Sequence, residues 1–83
     1  MSATIENGFR GTLVCEGLHD GPAGFQVPEP AEAARGATLV AAFRPNRGKS
    51  MAASATVDGK IYAVISLERS RVPGFFLLLL GDV

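Results

Sequence analysis

Arg44, Arg47 and Lys49 crowd around Asn46 and Gly48 in the stretch FRPNRGKS, residues 43–50. A group of cations this close suits two kinds of contact, the phosphates of a nucleic-acid backbone or the carboxylates of an acidic protein surface. The end of the stretch also matches the second half of the phosphate-loop pattern GxxxxGK[ST]. Phe43 stands where that pattern needs its first glycine, and the following SMAASATV alternates as a strand does. The helix dipole that holds phosphate in such loops is therefore not expected, and no later strand ends in a magnesium-binding Asp. What remains for the basic loop is partner contact or an ordinary solvated turn.

Cys15, His19 and Asp20 lie close enough in sequence to suggest a nucleophile with its base. Cys15, however, shares an alternating face with Phe9, Gly11 and Leu13, where a thiol behaves as a small inert hydrophobe. His19 is the single histidine and Cys15 the single cysteine, which is too few for a metal site. Glu6, Glu16, Glu29, Glu32 and Glu68 show no spacing that pairs carboxylates for acid–base work. Ser54 and Thr56 make one face of a strand small; this leaves room for larger residues across a hairpin, or lines a ligand cleft. No catalytic, cofactor or metal site is expected, and an enzyme is not.

The elements that must position these residues are strands. Asp58-Gly59 tolerates the positive φ angles of a type I′ hairpin turn. After it, Ile61, Ala63, Ile65 and Leu67 alternate with Lys60, Tyr62, Ser66 and Glu68 in a strand period, which assigns the first set to the core. The opposite face, with Val57, Tyr62 and Val64, is then unexpectedly apolar and suggests protein contact. A first hairpin is expected over residues 2–16 with its turn at Asn7-Gly8. Residues 18–28, LHDGPAGFQVP, hold three glycines and two prolines and are expected to be a loop. Residues 29–36 carry a short helix signature: Pro30 for the first turn, Glu29 and Glu32 at the positive end, Arg35 at the negative end and Gly36 as the stop. Residues 37–44 form the next strand, with Leu39, Ala41 and Phe43 on one face and Val40 and Ala42 on the other.

The chain closes on FFLLLL, residues 75–80, followed by GDV. As a strand this run puts Phe76, Leu78 and Leu80 on one face and Phe75, Leu77 and Leu79 on the other. Leaving three such side chains in water would forgo about 5–9 kcal/mol, comparable with a small domain's whole stability. Both faces must be covered. The chain offers only the Ala-rich helix and the Phe25 segment as a lid, so a second subunit against Phe76, Leu78 and Leu80 is favoured, most simply in a dimer.

The 83 residues suit one domain, and a chain of this size buries only about 60% of the surface its unfolded form exposes. Eight Lys+Arg balance eight Asp+Glu, so no overall field draws nucleic acid or an anionic membrane. The lone cysteine fits a reducing compartment. MSATIENGF does not read as a signal peptide, and the apolar run at 75–80 is far short of a membrane-spanning helix, so a cytoplasmic protein without membrane contact is expected. The abundance of Ala, Gly and Arg fits a bacterial or phage coding sequence.

The expected fold is all-β and mainly antiparallel, a small barrel or sandwich of five or six strands with one short helix, the alternative being an α+β roll. The expected function is a non-enzymatic protein-binding module, such as a small adaptor, inhibitor or assembly component. It would self-associate through Phe76, Leu78 and Leu80 and meet a protein partner through Arg44, Arg47, Lys49, Tyr62 and Val64. The alternatives are a nucleic-acid-binding barrel using the basic loop, and a small enzyme or ligand carrier.

Overall fold

The computed structural model describes residues 8–48 and 52–83. Six strands and one short helix follow in the order β1 (Gly8–Cys15), β2 (His19–Gln26), α1 (Pro30–Ala34), β3 (Leu39–Phe43), β4 (Ser54–Val57), β5 (Lys60–Arg69) and β6 (Phe76–Gly81). The strands form a closed barrel in the order β1-β2-β3-β6-β5-β4. Every neighbouring pair is antiparallel. Of the expected architectures it is the barrel that forms. Strand directions therefore alternate around the ring. One end of the barrel, here the upper end, gathers the β1–β2 turn, the β3–β4 connection and the β5–β6 loop. The lower end gathers the β4–β5 turn and the segment containing α1.

The β4–β5 hairpin turns at Asp58 (φ 50°) and Gly59 (φ 87°), the paired positive angles expected of Asp-Gly. Asp58 does more than turn the chain. Its carboxylate accepts the Thr12 N–H at 2.8 Å, and its own N–H donates to the Thr12 carbonyl at 3.0 Å. The hairpin is thereby fastened to β1, where the barrel ladder itself consists of Leu13↔Val57 and Val14↔Thr56. Gly11 leaves the room this needs, since a Cβ there would stand 2.6 Å from Asp58 Oδ2.

The expected loop at residues 18–28 is instead mostly strand. β2 pairs with β1 along its whole length, from Cys15↔His19 to Gly8↔Gln26. β1 and β2 accordingly form a hairpin that turns after Cys15, at Gly17 (φ 84°); Asn7, where the sequence leads one to expect a turn, lies outside the described residues. Proline is tolerated for a local reason. Thr12 opposes Pro22, but both backbone groups of Thr12 are engaged by Asp58 on the other side, so the proline nitrogen faces away from β1 and no ladder bond is lost. The strand period is kept as well, with His19, Ala23 and Phe25 all buried.

The facing of β5 is the second correction. Tyr62 and Val64 pack inward against the barrel core, while Ile61 is outward and 51% exposed. A bulge between Val64 and Ser66 then shifts the parity, so that Ile65 points outward and Leu67 points in. Strict alternation carried through Ile65 put the wrong residues inside. Tyr62 and Val64 are thus core residues and not a free contact face. Across the hairpin the inward partners are Ala55 and Val57, with Ser54 and Thr56 on the outside.

The tail strand is covered on both faces by the chain itself. Leu78 and Leu80 are 0% exposed in the barrel interior, packed with Leu13, Phe25, Ala41 and Phe43, and Phe76 joins them at the upper end. Leu79, equally buried, faces outward into a second cluster with Ala37, Val40, Ile65 and Leu77. The residues assigned to self-association are therefore interior, and the premise that the chain lacks material to cover them does not hold. Barrel closure supplies the inner cover and the segment after α1 the outer one.

α1 forms within the expected helix and stops at Gly36 (φ 99°). The Glu29 N–H donates to Glu32 Oε1 at 2.9 Å, satisfying one of the free amides of the first turn. The helix buries none of its residues. It is held from its C-terminal side, where the Thr38 N–H donates to the Leu80 carbonyl at 2.7 Å and Arg35 reaches β5.

Candidate functional site

The upper end of the barrel carries a cleft of about 710 Å³, within the size range of ligand-holding clefts. Its wall is apolar, built from Leu18, Leu67 and Phe76 with Pro45 and Pro73, and Arg44, Arg47 and Arg69 border it. These arginines come from two places in the sequence, the loop after β3 and the end of β5, and barrel geometry brings them together: β3 ends, β5 ends and β6 begins at this rim.

Each rim residue has a definite support. Arg44 follows the buried Phe43 out of β3, and its guanidinium carbon lies 5.1 Å from the centroid of the Phe75 ring, a cation–π arrangement. Beyond it the connection continues along β2, where the regular β2–β3 ladder has stopped at Gly24↔Ala42. There Asn46 acts as a substitute strand: its amide oxygen accepts the Asp20 N–H at 3.2 Å and its amide nitrogen donates to the Asp20 carbonyl at 3.1 Å. The Arg47 N–H donates to the Leu18 carbonyl at 3.2 Å, and its guanidinium lies 3.8 Å from the Asp20 carboxylate. Arg69 closes β5 opposite Phe76 and has no carboxylate within ion-pair distance among the described residues. The β5–β6 loop beside it is braced by Ser70 N–H to Phe75 carbonyl at 3.0 Å and Phe75 N–H to Val72 carbonyl at 3.1 Å.

The charges around the cleft are sorted by side. Glu68, next to Arg69 in sequence, points to the outer wall, where Arg35 Nη1 donates to it at 2.6 Å and the Ser66 hydroxyl at 3.1 Å. These hydrogen bonds, Arg35 first, together with the guanidinium charge, hold its carboxyl below the ordinary 4.5. Glu16 and Asp20 border a smaller cleft of about 380 Å³ on the far side of Arg47. The large cleft is left with cations on its rim and, among the described residues, no carboxylate in its lining.

Of the basic-loop residues named from sequence, Arg44 and Arg47 share this cleft, and Lys49 lies outside the described residues, as does Ser50. The chain enters β4 from residue 52, so a helix of the phosphate-loop kind does not follow. Arg69 and the apolar wall were missed from sequence. The signal was available in the strand count, because antiparallel neighbours put the end of β3 and the end of β5 at one end of any such barrel.

Cys15, His19 and Asp20 are neighbours but not an assembled set. Cys15 is 0% and His19 4% exposed, facing inward as a cross-strand pair, whereas Asp20 faces outward to Arg47. His19 Nε2 lies 3.0 Å from the Pro22 carbonyl, and its ring packs 5.0 Å from Phe43; its Nδ1 has no partner among the described residues. No group of three or more His, Cys, Asp or Glu side chains with metal-holding geometry occurs among the described residues. Nor, among them, is any helix long and apolar enough to cross a membrane. Compared with known proteins, the chain matches no family model, no curated protein and no solved structure.

Proposed function

We propose that this barrel is a non-enzymatic protein-binding module whose upper end receives an acidic surface of a partner protein. The observation that carries this reading is the rim itself: Arg44, Arg47 and Arg69 border one cleft, and no Asp or Glu among the described residues lines it. Two of them are already oriented, Arg44 by Phe75 and Arg47 by Asp20 and the backbone of its own loop, so little freedom is lost when carboxylates arrive. Guanidinium groups are suited to carboxylates because their planar forks donate two parallel hydrogen bonds. Nucleic acid is the weaker partner, since eight Lys+Arg against eight Asp+Glu leave no overall field that draws phosphates.

Titration with a fluorescent polyglutamate peptide tests the reading. The wild-type protein should bind it, less tightly as salt rises. The double variant Arg44→Glu, Arg69→Glu should bind at least about tenfold more weakly, the worth of one charge-assisted hydrogen bond. Both side chains are exposed, so the circular dichroism of the variant should match the wild type. Absence of wild-type binding, binding indifferent to the charge reversal, or displacement of the peptide by an oligothymidylate at lower concentration would each overturn the proposal.

A further inference from the structure

Resting on that reading, we infer that the acidic segment carries a bulky apolar side chain, phenylalanine or leucine, which seats between Leu18, Leu67 and Phe76 while flanking carboxylates meet the arginine rim. Charge alone does not account for the cleft. Its wall is formed by the side chains of Leu18, Leu67, Phe76, Pro45 and Pro73, and the cations stand only at the edge. A segment with acids but no apolar group would lie across the mouth and leave the partly exposed Leu67, Phe76 and Pro45 uncovered. A segment with an apolar group but no acids would cover Arg44 and Arg69, which have no ion-pair partner among the described residues, without supplying one, a costly arrangement. The two halves of the site are satisfied together only by an acidic segment with an apolar anchor. This is the usual plan of an energetic centre in a protein contact, an anchor in a pocket ringed by polar groups that exclude water.

The wall is fixed in advance. Leu18 is buried, with its N–H bonded to the Cys15 carbonyl at 2.9 Å. Leu67 and Phe76 pack against the barrel core, and Phe76 is held between Phe43 and Arg69 in the sheet register. The other exposed apolar features lack this combination. Val14 and Ile61 flank Thr56 on the outer barrel wall, and Phe9 stacks on Phe25 at the lower end, with no arginine cluster beside either.

The test varies the peptide and leaves the protein intact. Two labelled glutamate-rich peptides of equal charge and length are compared, one with a central phenylalanine and one with alanine in its place. The phenylalanine peptide should bind about tenfold or more tightly, the gain from burying one large side chain. It alone should shift the methyl resonances of Leu18 and Leu67. Equal affinities with no methyl shifts would overturn this inference and leave the proposed acidic-surface binding in place. Failure of both peptides to bind would overturn both.

Discussion

Arg35 illustrates how a single side chain acquires a role its neighbours in sequence do not announce. Its position at the end of a short helix reads as a cation placed for the helix dipole, whereas it crosses to β5 and donates to Glu68 Oε2 at 2.6 Å and Ser66 Oγ at 3.0 Å. The partner is 33 residues away, and no local pattern marks the pairing. Because the carboxyl of Glu68 is held below 4.5 in the fold, the stability it adds is present above that pH and is lost as the pH falls through the lowered folded value. Arg35→Ala should return the Glu68 carboxyl titration, followed by carboxyl-carbon NMR, toward 4.5. The variant should also lose less stability than the wild type on acidification. A midpoint unmoved by the substitution would show that the contact is not made in solution.

At the scale of elements, the segment that leaves α1 and enters β3 works as a strap over the outside of β5 and β6. Gly36 lies directly on Gly81, so close that a Cβ at Gly81 would come within 2.8 Å of the Gly36 carbonyl oxygen and 3.0 Å of Ile65 Cδ1. Gly81→Ala should therefore cost about 1–3 kcal/mol through displaced backbone, measured as a lower urea midpoint, and an unchanged midpoint would mean the strap does not press on β6. Elements whose signal is local were legible in the sequence: the Asp58-Gly59 turn, the inward face Leu39, Ala41 and Phe43 of β3, and the helix stop at Gly36. Two were not. β2 was hidden because glycine and proline argue for a loop unless one knows that Pro22 opposes a non-bonded position. The facing of β5 was hidden because the bulge at Ile65 is a response to the neighbouring strand β6 and has no local residue signature. The candidate site was half legible for the same reason: Arg44 and Arg47 share a loop, but Arg69 joins them only through the ring of strands.

Taken as a whole, the molecule gathers Arg44, Arg47 and Arg69 at the end of the barrel where β3 and β5 finish and β6 begins. Residues 44–48, leaving β3, run along the start of β2, where Asn46 bonds Asp20 and the Arg47 N–H bonds the Leu18 carbonyl, which is how a basic segment comes to border the mouth at all. The shortest ladder of the ring is the two residue pairs joining β1 to β4, against three between β2 and β3, and it is reinforced by Asp58 on Thr12. Those partners are more than 40 residues apart in the chain, while β1–β2 and β4–β5 are local hairpins. Closing the circle is accordingly expected as a late step of folding, and parting it as an early step of unfolding. Asp58→Gly keeps the left-handed turn but removes the acceptor, so in stopped-flow urea jumps it should speed unfolding about fivefold and barely slow refolding, the kinetic mark of a clasp fastened after the transition state.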